Sequence, residues 1–281
     1  MQRWRPLTEV SSASLTQLSH DPLGIPVPDT ALLHALFAYH APVWEVDVVD
    51  ENDLPGIPIW NTAGKPGVKP APVVYRYPSY TRWQDQTLLQ LNYVVWFAAR
   101  PITGIFDILG GALDGLIWRV TLNSDGAPLL YDTIHPCGCY HMFFLTEALQ
   151  PKPEALQLAE PPLLPQPAPR LTAGQRIVIR IASAAHYIER VYADQPDGTP
   201  YEWRDYAELY ATPVIDSGRR SLFAGNGLVI GSERRERWLL WPMGIPSAGA
   251  MRERGHHATA FVGRRHFDDA LLLEGLFQPA P

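Results

Sequence analysis

Seven of the twenty residues from Pro151 to Arg170 (PKPEALQLAEPPLLPQPAPR) are proline. Proline fixes φ and carries no N–H, so this stretch forms neither a regular helix nor a central strand and favours extended, polyproline-like chain. Two organisations of the 281 residues are compatible with it. In one, residues 1–281 are a single domain and 151–170 is a strap laid over it. In the other, an N-terminal β-rich domain, 1–150, is linked to a C-terminal α+β domain, 171–281. The strap is the preferred reading, because neither block has a self-contained set of motifs.

Strand patterns dominate the rest of the chain. Leu89, Leu91, Tyr93, Val95 and Phe97 alternate with a second face that turns apolar towards Trp96. Leu116, Trp118, Val120 and Leu122 share one face of the next strand, and Asn123-Ser124-Asp125-Gly126 is a turn leading into Ala127–Ile134. Ile177–Ile181 and Tyr187–Tyr192 are further strands. Helical spacing is sparse: Asp29 caps a run through Leu32, Leu33, Leu36 and Phe37, and Trp203, Tyr206 and Tyr210 follow helical spacing. A last short helix is expected over Leu271–Phe277. The fold class expected is α+β, mainly an antiparallel β-sheet of meanders and hairpins with a few short helices.

Composition narrows the function classes. No apolar run approaches the roughly 20 residues of a membrane helix, so no membrane span is expected. Met1–Val10 shows no apolar stretch behind its arginines, which points to a cytoplasmic location. A net charge of −6 argues against nucleic acid as the main partner. Between residues 213 and 265, however, nine arginines (Arg219, Arg220, Arg234, Arg235, Arg237, Arg252, Arg254, Arg264 and Arg265) face four acidic residues. Guanidinium forks suit carboxylate or phosphate, so a small anionic ligand is a candidate partner there.

Both cysteines of the chain fall within His135-Pro136-Cys137-Gly138-Cys139-Tyr140-His141. Thiolate and imidazole are donors for zinc, copper or iron. On a straight strand the outer pair would stand about 20 Å apart, too far for one ion. A turn at Pro136–Gly138, with glycine in the left-handed position, removes that obstacle. His135 then pairs across the hairpin with Cys139, His141 lies one step further on the same face, and Cys137 is an optional fourth ligand. His257, from the pair His256-His257, is the expected contribution of an adjacent strand, and Asp132 is placed to orient a histidine. The chemistry implied is that of a metal-binding protein or a metalloenzyme, hydrolytic or oxidative, holding a transition ion with zinc preferred. Two alternatives stand beside it: a non-catalytic β-rich binding module with a structural His/Cys cluster, and redox work by the Cys137/Cys139 pair. No G-x-S-x-G, H-E-x-x-H or phosphate-binding loop is present.

Overall fold

The computed structural model describes residues 1–7, 18–258 and 265–281. Its strands are β1 (Gln2–Pro6), β2 (Val43–Val46), β3 (Gly56–Trp60), β4 (Pro66–Pro70), β5 (Val73–Trp83), β6 (Gln86–Arg100), β7 (Gly111–Leu122) and β8 (Pro128–Ile134). They continue with β9 (Met142–Leu145), β10 (Leu149–Pro151), β11 (Arg176–Ile181), β12 (Ile188–Asp194) and β13 (Thr199–Asp205), followed by short strands towards the C-terminus. Ten of them form one sheet in the order β12-β11-β2-β1-β13-β5-β6-β7-β8-β9.

The expected α+β fold with a mainly antiparallel sheet is corrected by this order. The described chain is mostly β, and the large sheet is mixed. The run β5 to β9 is the antiparallel meander that hydrophobic alternation suggests. Beyond it, β11 pairs with β2, β13 with β1, and β13 with β5, all in parallel. Alternation reports which residues face the core; it does not report which distant strand supplies the partner. Strands from both sides of the proline-rich stretch are thus hydrogen-bonded in one sheet.

Tertiary pairing also overrides local spacing at Trp203. Residues 199–205 are strand β13, paired on both sides, and only Tyr206–Ala211 closes into a 3₁₀ turn, capped reciprocally by Asp205 and Glu208. The other two helices are where the sequence places them. α1 (Thr30–His40) starts at Asp29, whose carboxylate accepts from the Leu32 N–H at 2.8 Å, and α2 spans Leu272–Leu276. No described helix is long and apolar enough to cross a membrane.

The sheet is curled. Ile177, Ile179 and Val191 from one end of the strand order share a single buried cluster with Tyr131, Met142 and Phe144 from the other. α1 adds Leu36 and Phe37 to this inner cluster. The Arg176 guanidinium donates to the Ala38, Tyr39 and Ala41 carbonyls, satisfying the helix C-terminus. Residues 163–168 lie across the gap between the two edge strands. The Leu163 carbonyl accepts from Phe143 N–H and Ala168 N–H donates to Leu145 beside β9, while the Gln166 amide exchanges two hydrogen bonds with the Val191 backbone on β12. A chain without regular N–H donors thereby covers both open edges.

Replacing Gln166 with alanine removes both bonds to Val191 while the backbone of the strap stays. The expected loss is about 1–3 kcal/mol in urea unfolding, with faster hydrogen exchange at the Val191 amide.

Candidate functional site

The turn expected at the cysteines is present. Gly138 N–H donates to the His135 carbonyl at 2.8 Å, and Gly138 has φ 92°. A side chain there would strike the Ala258 carbonyl oxygen at 2.4 Å, so glycine is required by space as well as by φ. His135 N–H donates to the Cys139 carbonyl at 3.0 Å, which pairs residue 135 with 139. Two residues further, however, Thr133 pairs with Met142. The extra residue is Tyr140, held at φ 55°.

That single bulged residue divides the expected ligand set. A one-residue shift in register turns every later side chain to the opposite face. His135 stays on the inner face with Tyr131, whereas His141 turns outward to Asp132, Nε2 to Oδ2 2.9 Å. His141 and Cys139 therefore do not share a face. His257 joins neither: its Nδ1 lies 3.4 Å from Asp268 and its ring packs on Phe267. The structure brings together His135, Cys137 and Cys139, which line one cavity with Asp114. Among the described residues, no group of three or more His, Cys, Asp or Glu is arranged to hold a metal ion.

Behind His135 runs a buried chain of carboxylates and imidazoles. Asp114 lies near the start of β7, on the inner face with Leu116 and Trp118. Its Oδ1 is 3.3 Å from His135 Nδ1 and its Oδ2 is 2.9 Å from His186 Nδ1. His186 comes from the β11–β12 connection, stacks on Phe97 at 3.9 Å, and sets its Nε2 3.4 Å from Asp53. Burial alone would lower the His186 pKa, but hydrogen bonds and charge from Asp114 and Asp53 raise it to about 9. Burial alone would raise the Asp114 and Asp53 carboxyls; their imidazole partners, with backbone N–H groups at Asp53, hold both well below the usual range. His186 is thus an imidazolium between two carboxylates at neutral pH.

The thiols occupy the open side of this chain. A cavity of about 30 Å³ is lined by Cys137, Cys139, His135, Asp114, Arg100 and Glu236, among others. That is room for one or two waters. His135 Nε2 is buried with no hydrogen-bond partner. Both cysteines are free, and the Cys139 thiol is hydrogen-bonded to Cys137. That bond, then burial, pushes the Cys139 thiol well up and keeps it protonated. Burial also raises the Glu236 carboxyl, against the pull of Arg234 and Arg100. Tyr140, the bulged residue, lays its ring 5.1 Å from that of His135.

The outer face carries a second buried group. Arg119 donates from Nε and Nη2 to Asp132, stands 3.5 Å over the Phe267 ring, and shares Asp132 with His141. Asp132 therefore orients a histidine, as its spacing suggests, although on the opposite face of the sheet from His135. The arginines of the C-terminal stretch are turned onto the protein itself. Arg234 and Arg252 bond backbone carbonyls, and Arg219 and Arg235 do the same nearer the surface. Arg220, Arg237 and Arg254 lie over aromatic rings, Arg265 donates to the Glu160 carbonyl, and Arg264 lies outside the described residues. The eight described ones do not converge on one point. At the other end of the curled sheet a groove of about 950 Å³ opens between the end of α1, Thr146–Ala148 and residues 168–177.

Sequence reasoning missed Asp53, Asp114, His186, Arg100 and Glu236. Asp114 did leave a signal: it is a carboxylate in phase with Leu116, Trp118 and Val120, a charge on an otherwise apolar face. His186 and Asp53 left none. Comparison with protein-family models, curated proteins and solved structures finds no match.

Because the His186 pKa rises on folding from 6.5 to about 9, its stabilisation is complete below pH 6.5 and is lost as pH climbs through 9. The loss expected is on the order of 3 kcal/mol, read by chemical denaturation across that range. In His186→Gln this alkaline decline should be absent, and the protein less stable at neutral pH.

Proposed function

We propose that the protein performs thiol–disulfide exchange, with Cys137 and Cys139 as the dithiol and His135 as the proton carrier. One observation carries this reading: two free thiols share a cavity with an imidazole whose Nε2 has no partner. Asp114 holds the other ring nitrogen and so fixes the imidazole for that task.

The chemistry balances without a further reactant. The Cys137 thiol gives up its proton, and the thiolate attacks one sulfur of a substrate disulfide, RS–SR′. The S–S bond breaks, R′S⁻ takes up that proton, and Cys137 carries RS as a mixed disulfide. Cys139 then passes its proton to His135 Nε2 and attacks the Cys137 sulfur. RS⁻ leaves, is protonated by His135, and the Cys137–Cys139 disulfide remains. The substrate has gained two electrons and two protons, and the dithiol has lost them. Cysteines with a single residue between them close a small, strained ring, so the oxidised form readily hands its disulfide on to substrate dithiols.

In oxidised glutathione the native protein should lose the mass of two hydrogens reversibly, with a midpoint above about −200 mV. Cys139→Ser should trap glutathione on Cys137. A pair that stays reduced in oxidised glutathione, with no trapping in the serine variant, overturns the proposal.

A second reading keeps a transition ion, zinc ahead of copper or iron, on a smaller donor set of Cys137, Cys139 and His135 Nε2. The orphaned nitrogen beside two thiols favours it; the side chains must turn to meet at one ion. Freshly purified protein should then contain stoichiometric zinc that Cys139→Ser loses. Metal-free protein rules it out.

A further inference from the structure

Two segments that line the thiol cavity also carry a large exposed apolar ridge. The β6–β7 loop contributes Leu109 to the cavity and turns Ile105 and Phe106 to solvent, at 77% and 89% exposure. The turns after residue 234 contribute Glu236 inward and turn Trp238, Leu239 and Trp241 outward, at 67%, 62% and 74%. The segments are tied together: Arg235 donates to the Ile105 carbonyl at 2.6 Å, and Glu236 N–H to the Ile108 carbonyl at 3.1 Å. Scattered apolar residues on a surface need no explanation, but five large ones on two joined segments do.

We propose that this ridge docks the protein on a phospholipid bilayer surface, burying the apolar side chains at headgroup depth. Three features select a bilayer over another occupant. The ridge is built of protruding turns rather than a groove or flat face, and a fluid interface accepts such a shape without complementary packing. Two of its five side chains are indoles, Trp238 and Trp241, the side chain most suited to a boundary that is apolar below and wet above. The cations beside it match anionic headgroups: Arg235 is exposed, and Arg237 sits 4.5 Å over the Trp238 ring. The nearest loop carboxylate, Asp107, is occupied by the N–H groups of Thr103, Leu109 and Gly110. Those bonds also brace the loop, so docking orders little new chain. Docked this way, the protein sets the thiol cavity at the membrane surface. The ridge and its occupant do not depend on the chemistry assigned to the thiols.

Co-sedimentation of the full chain with vesicles of phosphatidylcholine, and of equimolar phosphatidylcholine and phosphatidylserine, tests this. Binding to the mixed vesicles is expected, weakened several-fold by Arg235→Gln with Arg237→Gln. Phe106→Ser combined with Trp241→Ser should weaken it by about a hundredfold or more, since both side chains are exposed and their burial is lost only on the membrane. Light scattering on the same proteins gives the second arm. Wild-type protein that stays in solution with both vesicles overturns the proposal, as does a Phe106/Trp241 variant that binds undiminished. A wild-type dimer that the same variant dissociates, without vesicle binding, assigns the ridge to a second copy and also overturns it.

Discussion

A contact of 2.9 Å between His186 and Asp114 joins elements that stand far apart in the sheet order. His186 follows β11 and Asp114 lies on β7, and six strand steps separate those two positions. In a flat sheet six steps span about 29 Å. The contact exists because the sheet curls until its two arms meet across the inner cluster, with the proline-rich stretch bridging the edges that remain. Without the curl there is no carboxylate–imidazole chain behind His135, and the cysteine turn is an isolated hairpin end.

The same curl sets the electrostatics. Asp53, Asp114, His186 and His135 leave water together, and each is tolerated only because a partner of the other charge or a hydrogen bond comes with it. Burying ion pairs is a poor way to stabilise a protein, since the desolvation cost offsets most of the attraction. The arrangement matters for what it leaves over: an imidazole anchored on one nitrogen, with the other unpartnered, lining with two thiols a cavity the size of a water or two. On the outer face Arg119, Asp132 and His141 repeat the pattern of an anchored imidazole, and the sheet itself keeps the two groups apart. The loops that roof the thiol cavity also form the apolar ridge, so the site and the proposed docking surface are two sides of one layer.

Some of this was legible from residue order alone. Alternation located β6, β7, β8, β11 and β12, and the capping aspartate located α1, because such signals are local and repeat every two or 3.6 residues. Proline at 136 and glycine at 138 marked the turn, because only certain residues take those dihedrals cheaply. The bulge at Tyr140 was not legible. Nothing in a tyrosine announces a positive φ, and that one residue decides which histidine faces the sulfurs. Nor was the role of Asp53 or His186: Asp53 lies 133 positions from His186, and His186 lies 72 from Asp114.

The sequence by itself determined a β-rich chain with a tight turn presenting two thiols, and an extended proline stretch unable to join a sheet centrally. These follow from side-chain periodicity and backbone sterics within a few residues. Only the tertiary structure decided that β11 and β13 enter the sheet in parallel, that the sheet curls, and that His141 and His257 leave the site while Asp114 enters it. Register, strand partner and curl are settled by packing between residues remote in the chain, and no local pattern carries that information.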